Sequence, residues 1–274
     1  MSGNGGTPGT SVISKVTRIL DAFSGNRTSL SLSDLARAAE LSPSTTHRLV
    51  SELVTWGGLE RTPDGTYSVG LRLWEIAART PGSNELRERA MPFLVELLEI
   101  SRQHVQLAVI SDNDALLIEK LSSPHSVQTI GRVGGRLPLH ASAVGKVLLA
   151  ASPTEFQSAV LSRGLVAYTP NTLTNPNALL RELGDIRDRG FALSTEEMSL
   201  GAVSCASAIV SNGNQTVGAM SVVMPTSAGP PRRWVEAVMS ASQRLSQVLG
   251  GSPRGTQAIS AQLTGRRAAE RDRG

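Results

Sequence analysis

From Ile13 to Phe23, apolar residues recur three and four places apart (Ile13, Val16, Ile19, Leu20, Phe23), which paints one stripe on a first helix. Leu32, Leu35, Ala36 and Ala39 share a second such face, behind serines able to cap a helix start and with Asp34 in the first turn, where the helix dipole favours an acid. A third stripe, Thr46, Leu49, Val50 and Leu53, follows Ser42 as cap and Pro43 at the first helical position, and it stops near Gly57. The period then changes. Leu59 and Arg61, then Tyr67 and Val69, flank a Pro-Asp-Gly turn, the pattern of a β-hairpin. Three short helices followed at once by a hairpin describe a winged helix-turn-helix over residues 11–70.

A linker helix and hinge, residues 71–85, come next. The segment RTPGSNEL contains Pro81 and Gly82, which interrupt a helix and mark a boundary. Over 86–250 the β-branched runs VQLAVI, ALLIEKL, SAIV and TVGAMSVVM, broken by Gly, Asn and Asp turns, predict strands, and WVEAVMSASQRLSQVL predicts a closing helix with Arg232 and Arg233 at its solvated start. The fold class is therefore α+β, a small helical domain before a larger mixed one. Residues 1–10 and 251–274 offer no apolar period and read as flexible tails.

On the third helix the apolar stripe leaves Ser44, Thr45, His47 and Arg48 facing outward in the first two turns. Short hydroxyls let a helix approach a groove closely, and an arginine can make a bidentate contact to a guanine edge. An ordinary solvated face has the same composition; the hairpin that follows, with Arg61 in its first strand, is what favours double-stranded DNA as partner, with Ser42, Ser44, Thr45, His47, Arg48 and Arg61 as the expected contacts. Charge adds little to this. The net charge is +4, but its excess sits in the last residues, where Arg254, Arg266, Arg267, Arg271 and Arg273 stand against Glu270 and Asp272. A claim on nucleic acid therefore rests on the local motif.

The stretch LPLHASAVGKVLLA, 137–150, invites two chemical readings, and spacing removes both. A phosphate loop needs glycine where His140 stands and a hydroxyl where Val147 stands. A Ser/His nucleophile pair drawn from His140 or Ser142 lacks the G-x-S-x-G elbow. His104, His125 and His140, even with Cys205, match no metal-ligand spacing. The adjacent acids Glu196 and Glu197 point to different sides and form no acid–base pair. No enzyme, cofactor or metal is expected. What remains is a loop with Gly131, Gly134 and Gly135, then a helix whose free first-turn amides can hold an anion or a carbonyl oxygen. His140 and Lys146 are expected to serve the turn and the surface around it.

At these residues the chain resembles the IclR family of bacterial transcription regulators. The run LSDLARAAELSPSTTHRLVSELVTWGGLER is similar to that family's helix-turn-helix, YSVGLRLWEIA to its wing exit and linker helix, and LPLHASAVGKVLLA with GFALSTEEMSLGAVSCASAIVSNGNQTVGAMSVVMP to its two effector-domain signatures. Glu40 departs, since the family usually has glycine in that inter-helix turn. The resemblance implies a GAF-like second domain, an antiparallel sheet flanked by helices. It also implies an effector pocket made by Leu137, the amides of Ala143 and Val144, then Thr195, Val203, Cys205, Ser221 and Val223. Read on its own surroundings, Cys205 is instead a packing residue. Aspartate often stands in the family where this chain has Ser194 or Thr195, and a second serine is possible at Val223, which points away from a small, highly polar ligand.

The expected function is a DNA-binding transcriptional regulator, more a repressor than an activator. Its operator binding would respond to a small organic-acid or aromatic metabolite, and it would act as a homodimer or a tetramer built as a dimer of dimers through helices 71–79 and 86–101. The alternative is a ligand-independent regulator whose second domain serves only assembly or protein interaction. A single cysteine, the lack of a charged start followed by an apolar run, and no apolar stretch near the roughly 20 residues that span a bilayer favour the cytoplasm and exclude a membrane partner.

Overall fold

The computed structural model describes residues 11–24, 27–80, 82–124, 126 and 131–251. Residues 1–10 and 252–274 of the expected tails, Pro81 of the hinge and His125 lie outside the described residues. The chain divides into two compact units, one ending at Asn84 and one beginning at Glu85.

In the first unit, α1 (Val12–Asp21) is followed by a short strand β1 (Ser29–Leu30), then by α2 (Leu32–Ala38) and α3 (Pro43–Trp56). Strands β2 (Leu59–Arg61) and β3 (Tyr67–Val69) form the wing, and α4 (Leu71–Ala77) leaves it. Strand β1 pairs with the outer edge of β3, so the wing is a three-stranded sheet in the order β1-β3-β2. Two residues are too few for a periodic signal, and the hydrophobic pattern alone does not reveal β1.

The core is where the helical spacing puts it. Ile19, Phe23, Leu35, Ala39, Leu49, Val50, Leu53, Leu59 and Tyr67 pack into one cluster. Thr46 is fully buried, and its hydroxyl bonds the Ser42 carbonyl at 3.0 Å, so it joins an apolar stripe without leaving a polar group unpaired. One expectation fails: Ile13 belongs to the stripe by spacing, yet 76% of it is exposed, because the helix outruns the core at its first turn.

Two backbone positions shape this unit. Gly57 ends α3 in the left-handed region at φ 84°, with the Gly58 amide bonded to the Leu53 carbonyl at 2.9 Å. At Gly70 a β-carbon would lie 2.2 Å from the Gly57 carbonyl oxygen, so only glycine lets the wing exit press on the end of α3. Glu40 adopts φ 53° in the turn between α2 and α3, where a side chain is strained and no glycine relieves it. Its 4.0 Å approach to Arg18 is an exposed pair and offsets little.

Helix α5 (Ser83–Ser101), which lies in the second unit from Glu85 onward, precedes strands β4 (His104–Ser111), β5 (Asp114–Leu121) and β6 (Arg136–Pro138). Helices α6 (Ala143–Ala150), α7 (Thr154–Ser162) and α8 (Pro176–Arg189) follow, then β7 (Phe191–Thr195), β8 (Ala202–Val210), β9 (Thr216–Pro225) and α9 (Arg232–Val248). The strands form one antiparallel sheet in the order β6-β5-β4-β9-β8-β7. Leu94 and Leu97 of α5 and Trp234, Val238 and Leu245 of α9 pack on one face with Leu107, Cys205, Met220 and Val222. On the other face, α6, α7 and α8 cover Ala108, Leu117, Ala192, Ala206 and Ala219. These alanines let α6 settle close to the sheet, and every residue of α6 is buried.

Replacing Glu40 by glycine removes the strain at the inter-helix turn; the change is expected to stabilise the first unit by about 1 kcal/mol in urea unfolding.

Candidate functional site

Two surfaces gather the residues singled out by the sequence, one in each unit. In the first unit Ser42 caps α3: its hydroxyl accepts the Thr45 amide at 3.3 Å and donates to the Thr45 hydroxyl at 2.9 Å. Ser44, His47 and Arg48 are exposed, Thr45 is half-buried, and Arg61 is exposed on β2 opposite Tyr67. Arg48 bonds Glu52 one turn later at 2.7 Å, with both side chains more than half exposed. Such a pair is worth less than about 1 kcal/mol, so the guanidinium is available to a stronger partner. The same exposed face runs on through Ser51, Thr55 and Trp56, which the reading of the first two turns omitted although they follow at the helical spacing of four.

At the wing tip, Asp64 accepts hydrogen bonds from the Thr62 and Thr66 hydroxyls and from the Thr66 amide at 3.3 Å. The Thr62 hydroxyl contributes most to holding its carboxyl below the usual range. These bonds close the turn that follows Arg61.

In the second unit a cavity of about 50 Å³ lies between the start of α6 and the sheet. Gln106, Ser194, Ala202, Ser204, Ser221 and Val223 border it from the strands, Leu137 from β6, and Met198 and Ser199 from the turn joining β7 to β8. Ser142 caps α6 by accepting the Gly145 amide at 3.1 Å, and the Lys146 amide takes the Ser142 carbonyl at 2.9 Å. Ala143 and Val144 border the cavity as the remaining first-turn residues, whose amides have no partner within the helix. The Ser194 hydroxyl bonds the Ala141 carbonyl at 2.7 Å, and Ser221 donates to Gln106 at 3.4 Å.

Six of the eight expected pocket residues border this cavity: Leu137, Ala143, Val144, Val203, Ser221 and Val223. Val203 does so from the strand while its side chain packs in the opposite core. Two expectations are corrected. Thr195 is exposed, and Cys205 is fully buried against α5 and α9. Neighbouring strand residues point to opposite faces, so an offset of one residue exchanges core for cavity, and the cavity positions are Ser194 and Ser204, which pair across β7 and β8. The sequence signal that could have found them is the alternation itself: Ser194, Ser204 and Val223 lie in one cross-strand row, and Ala206, Ser221 and Gln106 in the next.

The histidines have other tasks. His140 Nε2 lies 2.9 Å from the Val166 carbonyl, as expected of a loop organiser, and His104 Nδ1 lies 2.8 Å from the Ser122 hydroxyl. Among the described residues no three His, Cys, Asp or Glu side chains are grouped to hold a metal ion.

The chain matches known proteins along nearly its whole length. Residues 12–63 match the IclR helix-turn-helix domain, and residues 79–247 match the bacterial transcriptional regulator IclR C-terminal domain. The chain belongs to the IclR family. The regulator is 30% identical over 243 residues to the HTH-type transcriptional regulator XynR of Escherichia coli, covering 87% of this chain and 96% of that one. It is 31% identical over 254 residues to the transcriptional repressor IclR of the same organism, covering 89% and 93%. Its fold matches the crystal structure of an IclR homolog complexed with 4-hydroxybenzoate from Microbacterium hydrocarbonoxydans at a TM-score of 0.83 and 37% identity, over 88% of this chain and 100% of that one. It is an IclR-type, DNA-binding transcriptional regulator, and these named relatives are regulators rather than enzymes.

Within this regulator, Lys146 departs most from expectation. Far from serving a surface, its side chain is 0% exposed, with the ammonium 2.5 Å from Glu197 and 3.1 Å from Glu182. Burial pushes the Glu197 carboxyl above the ordinary carboxylate range, and the ammonium beside it acts in the opposite sense. Glu196 instead accepts the Gly201 amide at 2.7 Å and the Asn171 side-chain amide at 3.3 Å, so the two adjacent acids do turn to different partners.

Burial pushes the Cys205 thiol up to about 12. The folded regulator is expected to resist thiol reagents at about pH 8, with modification following the unfolding rate; prompt reaction of the native protein would place this thiol on an accessible surface.

Proposed function

We propose that this regulator represses transcription by binding operator DNA through α3 and the wing, and that a small organic acid or aromatic carboxylate in the cavity modulates that binding. The observation that carries the reading is the joint presence, in one chain, of an exposed polar face on α3 and a buried cavity whose polar lining is hydroxyls, one carboxamide and the first-turn amides of α6. Ser44, Thr45, His47 and Arg48 enter the major groove, and Arg61 meets the backbone from the wing. The amides of Ala143 and Val144 hold the carboxylate with Ser204 and Ser221, while Leu137, Met198 and Val223 enclose the carbon skeleton. The protein acts by binding, not by turnover.

The likeness to a homolog complexed with 4-hydroxybenzoate supports an aromatic acid as the ligand class. The present cavity is smaller than the ~150 Å³ that admits a benzene ring, so ligand entry widens it.

Assembly as a homodimer, or as a tetramer made of two, is part of the same reading. Helix α4 has no buried residue, and Leu71 and Trp74 are 69% and 67% exposed. A solvent-facing apolar helix next to a DNA-reading head suits a self-association surface, and pairing sets two heads about 34 Å apart on successive turns of DNA. Among the described residues no helix is long and apolar enough to cross a membrane, which is compatible with work at the genome in the cytoplasm.

The test is binding of the full chain to the promoter DNA beside its own gene, in a mobility-shift titration at moderate salt with sedimentation of the complex. Wild-type protein is expected to bind with two or four copies per site, and Arg48→Ala to lose about 1–3 kcal/mol. A wild-type protein that does not discriminate this DNA from unrelated sequence, or an Arg48→Ala variant of unchanged affinity, would remove α3 as the reading element.

A further inference from the structure

We infer that the Lys146–Glu197 ion pair positions the wall of the cavity formed by the turn 196–201, and so sets ligand affinity through two residues that do not border the cavity. The inference rests on the effector reading given above for what occupies the cavity, but the tether itself can be observed without any ligand.

The turn is fastened on two sides. Outward, the Thr169 and Thr172 hydroxyls donate to the Glu196 and Glu197 carbonyls, each at 2.6 Å, and the Leu173 amide donates to the Glu197 carboxylate at 3.3 Å. On the side of α6, the Lys146 ammonium holds the Glu197 carboxylate; Met198 packs partly buried against the core, and at the end of the turn the Gly201 carbonyl accepts the Thr226 amide at 2.9 Å. The residues immediately after Glu197, Met198 and Ser199, form the cavity wall. Lys146 lies less than one turn beyond Ala143 and Val144 on α6. One short helix therefore presents amides to the cavity at its start and holds the facing wall by a side chain farther along.

A charge at this place calls for a reason. All other members of α6 are apolar or glycine, and a hydrophobic residue of similar volume would fill the same space without the cost of desolvating an ammonium. Here that charge is matched by a network. Glu197 and Glu182 both reach Lys146, and Arg189 approaches Glu182 at 3.9 Å, so two cations face two carboxylates. The two carboxylates differ in what they are attached to. Glu182 belongs to the regular helix α8, which is independently packed through Leu179, Leu183 and Ile186. Glu197 belongs to a turn that contributes only the partly buried Met198 to the core, and Glu196 beside it is in the left-handed region at φ 57°. Removing the bond to Glu182 leaves α8 in place; removing the bond to Glu197 releases the wall.

The experiment compares Glu197→Gln with Glu182→Gln in the full chain, using amide hydrogen exchange without ligand and calorimetry with 4-hydroxybenzoate. In Glu197→Gln, exchange over residues 194–203 is expected to rise about tenfold with α3 unchanged. Affinity for the probe is expected to fall about tenfold, as a binding surface loses its preorganisation. Glu182→Gln, which takes a bond from the same ammonium, should match wild type within about twofold in both. Unchanged exchange over 194–203 in Glu197→Gln, or an equal change in Glu182→Gln, would overturn the inference and make Lys146 a general core contact. If Glu197→Gln does not fold, Glu197→Asp, which keeps the charge and shortens its reach, carries the same expectation. Absence of 4-hydroxybenzoate binding by wild type counts against the aromatic-acid reading, whereas the exchange comparison alone then decides the tether.

Discussion

Successive side chains of a β-strand point to opposite faces, and in the second unit of this regulator that alternation decides which residues make core and which make cavity. The six-stranded sheet is covered on both sides. On the α5–α9 side, Leu107, Cys205, Met220 and Val222 form a continuous apolar layer. On the other side the same strands present Gln106, Ser194, Ser204 and Ser221 where the sheet leaves a gap under the start of α6. Small residues then make the layer thin. Ala192, Ala206 and Ala219 bring α6 close enough for its first turn to border that gap.

Helix α6 serves three ends in eight residues. Its apolar side chains complete the core, its start supplies amides to the cavity, and Lys146 carries a buried charge to Glu197 and Glu182. The capping hydroxyl of Ser142 makes the geometry definite, since it takes the Gly145 amide and leaves the two preceding amides as the ones without an intrahelical partner. Gly145 belongs to the same arrangement, because a β-carbon there would sit 2.5 Å from the Pro138 carbonyl. The LPLHASAVGK stretch thus combines close backbone approach, a helix cap and an internal ion pair.

Much of this was legible in the sequence. The third helix was readable to the residue: Ser42 caps it, Pro43 opens it, the predicted stripe is buried and Gly57 stops it in the left-handed region. The strained turn at Glu40 was visible as a missing glycine. Other features had no local signal. The pairing of β1 with β3 depends on a neighbour more than 30 residues away in the chain. The exposure of Ile13 depends on where the core ends, which periodicity does not contain. The positions Thr195 and Cys205 failed for a sharper reason: resemblance located the right strands, and a one-residue error in register placed both on the wrong face. Lys146 was legible only as a lysine on an apolar helix, because its partners lie 36 and 51 residues farther along.

A regulator of this design works only if ligand binding and DNA binding share free energy, since a ligand with equal affinity for the DNA-competent and DNA-incompetent states shifts neither. The most direct measurement is the operator affinity of the full chain by fluorescence anisotropy, at fixed salt, without 4-hydroxybenzoate and with it at saturation. The expected result is a change in Kd of about 5–150-fold, the range of ordinary allosteric coupling, with the reciprocal change in ligand affinity when DNA is present. Identical operator affinity with the cavity demonstrably occupied would contradict the coupling of the two units.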